Sequence, residues 1–454
     1  MTGGFGQIAR KGFEGKRVRG ALTAVFIGFL AQPALADPLP APVTDADFPS
    51  FPMEQILLGR DLFFDPVLSG NRNIACATCH HPTLGTSDGM SLSIGEGGLG
   101  LGAQRKATED NRPHARIPRN APALFNIGAR EFTVMFHDGR VELSNDAIFG
   151  IRMPEGRTLE KPMPSALAAQ AMLPILSADE MSGQAGENDV ATAVDAGRIH
   201  GSDGAWAILA ARIAAIPAYR DRFAAQGVQE PHITDIAQAL AAFITNEFRA
   251  INSPFDRHLR DGTPLAPAQK AGMDLFYGKA RCSTCHSGPF QTDHGFHAIG
   301  MPQFGPGKNT DSAYAQYADL GRGMVTGVAA DYYRFRTPSL RNVALTAPYG
   351  HNGAYARLED ILHHHMDALA GLTGYDRSAA LLPGGAQQQD FVALDDTEEM
   401  IRIAAAIEIQ DVALTEGEIA ELLSFLDALT DERAALGALG APDAVPSGLP
   451  MDSQ

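Results

Sequence analysis

Cys76-Ala-Thr-Cys79-His80 and Cys282-Ser-Thr-Cys285-His286 decide how this 454-residue chain is read. Both spell C-x-x-C-H, the attachment signature of a c-type haem, in which two thiols bond covalently to the porphyrin and the adjacent imidazole becomes an iron ligand. The chain has four cysteines and the two motifs use all of them, so none is left for a disulfide or a separate zinc site. A thioredoxin-like redox pair or half of a zinc ribbon would account for C-x-x-C alone. Neither requires the histidine that follows both times, and no βαβ pattern surrounds either motif.

Working outward, each motif is preceded by an apolar stretch at helical spacing. Met53 to Phe64 carries Ile56, Leu57, Leu62 and Phe63 and stops at Asp65-Pro66, and Ala266 to Lys279 delivers the second motif. Ser165 to Met172, Asp203 to Phe223, His232 to Ile251, Leu358 to Leu369 and Thr415 to Leu429 also read as helices, whereas strand signals are weak throughout. Residues 141–164 lack periodicity and look like an insertion. The expected class is mainly α: two cytochrome c-like domains, each with one covalent haem c, the haems facing a shared interface. The doubled haem motif is the one internal repeat visible in the sequence. The expected organisation is a signal peptide over 1–36, a lead-in over 37–52, haem domains over 53–262 and 263–433, and a disordered tail over 434–454, rich in Ala, Gly and Pro.

The first 36 residues place Arg10, Lys11, Lys16, Arg17 and Arg19 before the apolar run Ala21 to Leu30, with Ala34-Leu35-Ala36 as a cleavage site. That run is shorter than the roughly 20 residues a membrane span needs, so no span is expected in the mature chain. Export suits covalent haem attachment and implies the periplasm. The formal charge of −17 grows more negative when the basic leader is removed. Such a surface repels nucleic acid and favours basic partners such as small cationic redox carriers.

LGRDLFFDPVLSGNRNIACATCH (residues 58–80) and TPSLRNVALTAPYGHNG (residues 337–353) resemble the bacterial di-haem cytochrome c peroxidase family, which includes the MauG-like enzymes. The resemblance covers most of residues 53–430. It implies a peroxide-reacting haem held by His80 and an electron-relay haem held by His286. It further implies hydrogen peroxide as substrate and, as electron donor, a small protein such as a cytochrome c or a cupredoxin. The rival within the fold is a MauG-like oxidase acting on a protein or peptide partner. The rival outside it is a non-catalytic di-haem electron carrier.

Residue by residue, the resemblance aligns Ser93-Ile94-Gly95-Glu96 with a family S-I-G-H, so Glu96 stands where a displaceable histidine ligand would be. The first iron is then expected to be open, unless His81 or His114 caps it. The run from Gln170 through Pro174 to Glu180 keeps the family spacing and assigns Glu180 as catalytic acid/base, with Gln170 and Pro174 lining its pocket. Asp179 is the competing carboxylate. On a helical wheel Leu358, Ile361, Leu362, His365 and Leu369 share one apolar face, while His363 and His364 point away. His365 sits at the family's distal-ligand position for the second haem, with Met366 as rival. His137 replaces the relay tryptophan of the family's F-W-D-G-R, and Asn352 replaces an aspartate. An inter-haem calcium ion is implied, held by Asn120 and the carbonyls of Thr346 and Pro348.

Overall fold

The computed structural model describes residues 38–107, 112–154, 159–308 and 317–452; the expected signal peptide lies outside them. Its helices in the first half are α1 (Met53–Phe64), α2 (Cys76–Cys79), α3 (Ala166–Ala171), α4 (Asp189–Asp195), α5 (Ala205–Ala214), α6 (Pro217–Ala225), α7 (Ile233–Glu247) and α8 (Pro254–Asp261). The second half adds α9 (Pro267–Phe276), α10 (Arg322–Thr326), α11 (Leu358–Met366), α12 (Ala368–Thr373), α13 (Val392–Asp395), α14 (Thr397–Ala406), α15 (Glu416–Asp427) and α16 (Glu432–Leu436). Short antiparallel sheets accompany them: β1 (Gly98–Leu99) with β2 (Lys106–Ala107), a three-stranded sheet in which β4 (Val141–Leu143) lies between β3 (Val134–Met135) and β5 (Ile151–Arg152), and β6 (Phe296–His297) with β7 (Phe335–Arg336). The class is therefore mainly α, as expected. Part of the aperiodic 141–164 segment is a small sheet.

Element boundaries follow local chemistry. Pro66 ends α1, because the residue before a proline is pushed out of helical backbone, and Asp65 instead caps the following turn by accepting from the Val67 N–H at 3.0 Å. The expected helix over Asp203–Phe223 is two, α5 and α6, with Pro217 opening the second. The expected helix over Leu358–Leu369 likewise divides at Asp367, which caps α12, and Leu369 is exposed.

The haem motifs sit against two helix crossings built alike. In the first, α1 crosses α7 at Gly59, where a Cβ would lie 1.8 Å from the Ala239 carbonyl oxygen and 2.9 Å from Phe243 Cβ. In the second, α9 crosses α15 at Gly272, where a Cβ would lie 1.9 Å from the Glu421 carbonyl oxygen and 2.9 Å from Phe425 Cβ. Past each crossing an asparagine in left-handed backbone ties the chain down. Asn126 (φ 61°) donates its N–H to the Phe248 carbonyl, and Asn342 (φ 57°) donates its N–H to the Leu429 carbonyl. The internal repeat thus extends well beyond the C-x-x-C-H pair that sequence comparison of the halves revealed.

Separate apolar cores back the two crossings. The larger is centred on Phe63, Phe243 and Phe248, and the smaller on Phe255, Phe276 and Phe425. Because Phe255 belongs to the smaller core, α8 packs with the second half, ahead of the expected boundary at 262/263. The expectation of a disordered tail is overturned. Leu439, Val445, Leu449 and Met451 pack on the first core, the buried Glu247 carboxylate accepts the Leu439 and Gly440 N–H groups, and Asp65 accepts from Ser447. At its end Asp452 accepts from Thr78, inside the first haem motif, at 2.5 Å.

Candidate haem centres and a buried charge network

Both attachment histidines are prepared as ligands by the turn that follows them. His80 Nδ1 meets the Thr86 carbonyl at 3.0 Å, and His286 Nδ1 meets the Gln291 carbonyl at 3.1 Å. Thr86 and Gln291 both have positive φ (61° and 48°). The next residue in each case ties its hydroxyl to a distant carbonyl: Ser87 to Ala121 and Thr292 to Thr337. A Nδ1–H bonded to a carbonyl fixes the tautomer and leaves Nε2 as the metal-binding nitrogen. Burial holds both imidazoles below their ordinary pKa, His286 at about 4, so each is a neutral donor.

His365 comes from α11 and meets His286 with ring centroids 6.5 Å apart. Its Nδ1 is bonded to the Ile361 carbonyl at 2.8 Å, which again leaves Nε2 free. Two imidazoles bound to one iron at about 2 Å each place their centroids roughly 6 Å apart, so this spacing admits a metal between them. Met366 lines the same cavity as His365, together with Cys282 and Leu422. His364 does not point away: it is 1% exposed, with Nδ1 near the Tyr355 hydroxyl at 2.9 Å and Nε2 near the Ile299 carbonyl at 2.7 Å. The wheel assumed one buried face, whereas α11 is covered on two sides. His363 is exposed, as read.

At the first centre, among the described residues, no histidine ring pairs with His80 as His365 pairs with His286. His114 is exposed and His81 is turned to Thr83. Glu96 is buried, and its Oε1 accepts from Asn71 and Asn73 at 3.0 and 2.9 Å. Its loop packs against the Glu180 turn, and only glycine fits at the contact: a Cβ at Gly95 would lie 2.2 Å from the Asp179 carbonyl oxygen. Gln170 ends α3, Pro174 opens the next turn, and Glu180 occupies a single π-helical turn, Ala178–Ser182. Such turns recur at functional sites because they re-aim a side chain. Burial pushes the Glu180 carboxyl above the usual range, against the opposing pull of Lys308 and Arg140. Asp179 is engaged instead with Gln184.

A buried charge network joins residues of the two halves of the chain. Arg119 holds Asp319 through Nε and Nη2 at 2.5 and 2.7 Å and Asp138 through Nη1 at 2.6 Å, and Arg140 adds a second bond to Asp138 at 2.9 Å. Burial works against both carboxylates, but these guanidiniums hold them well below the ordinary value, Asp138 at about 2. His137 is neutral, lowered to about 3 by burial and by Arg119, and its Nε2 lies 3.4 Å from the Asn120 carbonyl. His351 stacks on Phe335 at 3.7 Å. Half-buried Arg336 bonds backbone carbonyls, those of Phe136 and Thr337. A guanidinium bonded to no carboxylate among the described residues suits a haem propionate, and with the three prepared imidazoles it makes this donor set fit two haems. Sequence reading missed Lys308, Arg336 and Asp319, because no motif links them; the fold alone gathers them.

Asn120 and Pro348 meet around Gly353, where a Cβ would lie 3.2 Å from Asn120 Nδ2 and 2.9 Å from Pro348 Cγ. Asn120 Nδ2 donates to the Met90 carbonyl, and Asn352 donates to the Pro302 carbonyl. Thr346 is half-buried close by in sequence.

Residues 53–263 match the di-haem cytochrome c peroxidase family. The methylamine utilization protein MauG of Methylophilus methylotrophus is 30% identical over 336 residues, covering 72% of this chain and 76% of MauG. The cytochrome c551 peroxidase of Pseudomonas aeruginosa is 28% identical over 375 residues, covering 81% of this chain and 82% of that protein. A solved MauG-like protein associated with microbial copper homeostasis has 27% identity and a TM-score of 0.55, covering 88% of this chain and 95% of its own. The chain belongs to the di-haem cytochrome c peroxidase family, the group of oxidoreductases that includes MauG.

Proposed function

We propose that this chain is a periplasmic di-haem peroxidase that reduces hydrogen peroxide to two waters with two protons and two electrons, the electrons supplied by a small redox protein. The supporting observation is the inequality of the two centres: His286 faces His365, while His80 faces no histidine among the described residues. When bound, the haems supply the redox chemistry, the first accepting peroxide and the second relaying electrons. The Cys76/Cys79 and Cys282/Cys285 pairs anchor them, and His80, His286 and His365 are the ligands. Glu180, with its carboxyl raised by burial, takes a proton from the oxygen of peroxide nearer the iron and returns it to the departing oxygen. Gln170 and Pro174 line that pocket. His137, neutral throughout the working pH range, packs between the centres without titrating. Asn120 is the side-chain ligand we assign to an inter-haem calcium ion, with the carbonyls of Thr346 and Pro348. Among the described residues no helix is long and apolar enough to cross a membrane.

A second reading, a MauG-like oxidase acting on a protein partner, is favoured by Glu96. A carboxylate tied to two asparagines cannot act as the displaceable histidine expected of the peroxidases. Spectra of the ferric protein test the shared premise: one high-spin and one low-spin haem are expected, and two low-spin haems indifferent to peroxide would leave only an electron carrier. Steady-state oxidation of a reduced cytochrome c then separates the enzymes. Rapid turnover supports the peroxidase, and slow turnover with peroxide consumed supports the oxidase.

A further inference from the structure

The helix that supplies His365 to the second haem pocket carries a different set of donors on its outer side. Glu359 and His363 are four residues apart on α11, hence on one face, and Glu416 reaches them from the first turn of α15. One ligand atom from each lies within 4.8 Å of the others. We propose that Glu359, His363 and Glu416 form a surface site for a divalent transition-metal ion of the zinc type, clamping α11 to the start of α15.

Three features beyond proximity carry this. First, the backbones are held: Leu358 and Leu362 of α11 and Leu414 just before α15 pack on the same apolar core, and Thr415 caps α15 by accepting the Glu418 N–H. Donors on anchored elements need only rotamer adjustment to close on an ion. Second, the donors have a defined chemistry. One imidazole nitrogen with two carboxylate oxygens suits Zn²⁺ and leaves positions for water, whereas Ca²⁺ and Mg²⁺ prefer oxygen alone. Third, two carboxylates from separate helices converge on one imidazole in a strongly acidic chain, and a cation between them would relieve their mutual repulsion. Arg357 offers one to Glu359, but it is largely exposed and touches only one member of the set. A metal ion would join all three.

The site is distinct from the haem pocket, into which the same helix directs Leu362, His365 and Met366. It does not depend on the peroxidase reading.

The test is calorimetric titration of Zn²⁺ into the full-length, haem-loaded protein and into its His363→Ala and Glu416→Gln variants. Both positions are exposed, so neither substitution opens a cavity in the core, and an unchanged melting temperature checks that each variant is folded. The expected result is one saturable Zn²⁺ per chain, with affinity falling at least about 10-fold in each variant. No saturable binding by the unsubstituted protein, binding unchanged in both variants, or equal affinity for Ca²⁺ at these residues would each overturn the assignment.

Discussion

Glu180 and His365 are single side chains whose environments suit the tasks proposed for them. Because burial raises the Glu180 carboxyl and its working form as a base is the carboxylate, the rate of reaction with peroxide should rise with pH through a limb lying above the ordinary 4.5. Stopped-flow rates across pH 4 to 8 check this. Glu180→Gln should lower the rate by about 10²-fold or more and abolish the limb; an unchanged profile would remove Glu180 from the proton path and return attention to Asp179. His365 makes the complementary case. With Nδ1 tied to the Ile361 carbonyl and its ring facing His286, it is poised as an imidazole ligand, which holds a haem at lower potential than a thioether does. His365→Met should therefore raise the midpoint of the second haem in a redox titration, while Met366→Leu should leave its optical spectrum unaltered. A spectrum that changes with Met366 and not with His365 reverses the choice of ligand.

At the scale of elements, the two helix crossings show why glycine stands where it does. At Gly272 the obstructing atom is a backbone carbonyl oxygen of α15, which cannot swing aside as a side chain could. Gly272→Ala should destabilise the second half by roughly 1–3 kcal/mol or more, since α9 must move off α15. Gly417→Ala in the same pair of helices, where the nearest atom is 3.9 Å away, should be neutral or slightly stabilising. Thermal unfolding followed at the haem absorbance distinguishes them, and equal melting of both variants would mean that the crossing is not close-packed. These crossings also mark the limit of sequence reading. The extent of α1 was legible because its apolar period ends at a proline, and His365 was singled out by the apolar face of α11 together with the family position. The glycines were not, since a required absence of side chain is defined by a partner helix some 150 to 180 residues away in the chain. His364 was misjudged for the same reason: Tyr355 and the Ile299 carbonyl, which cover it, come from outside its helix. The network of Arg119, Asp138 and Asp319 joins residues up to 200 positions apart, so no local pattern announces it.

For the molecule as a whole, the tail past α16 acts as a strap returning from the second half to the first. Its Ala-, Gly- and Pro-rich composition suggested disorder, but the groups that order it belong to other segments. Glu247, 1% exposed, accepts the N–H groups of Leu439 and Gly440; Asp65, wholly buried, accepts from Ser447; and Asp452 closes on Thr78 between the two cysteines of the first motif. Removing residues 438–454 would take Leu439, Val445, Leu449 and Met451 off the first core and leave Glu247 short of donors inside it. A buried carboxylate that loses its donors costs about 1–3 kcal/mol, and the lost apolar contacts add to this, so melting of the first half should fall by roughly 5 °C or more. Because the strap reaches Thr78 and not the second motif, the spectrum of the His286 haem should be unchanged while that of the His80 haem shifts. Glu247→Gln in the full chain isolates the electrostatic part, since the amide keeps an acceptor oxygen but surrenders the charge. A truncated protein that melts and absorbs like the full chain would show that the strap lies on the surface without holding it.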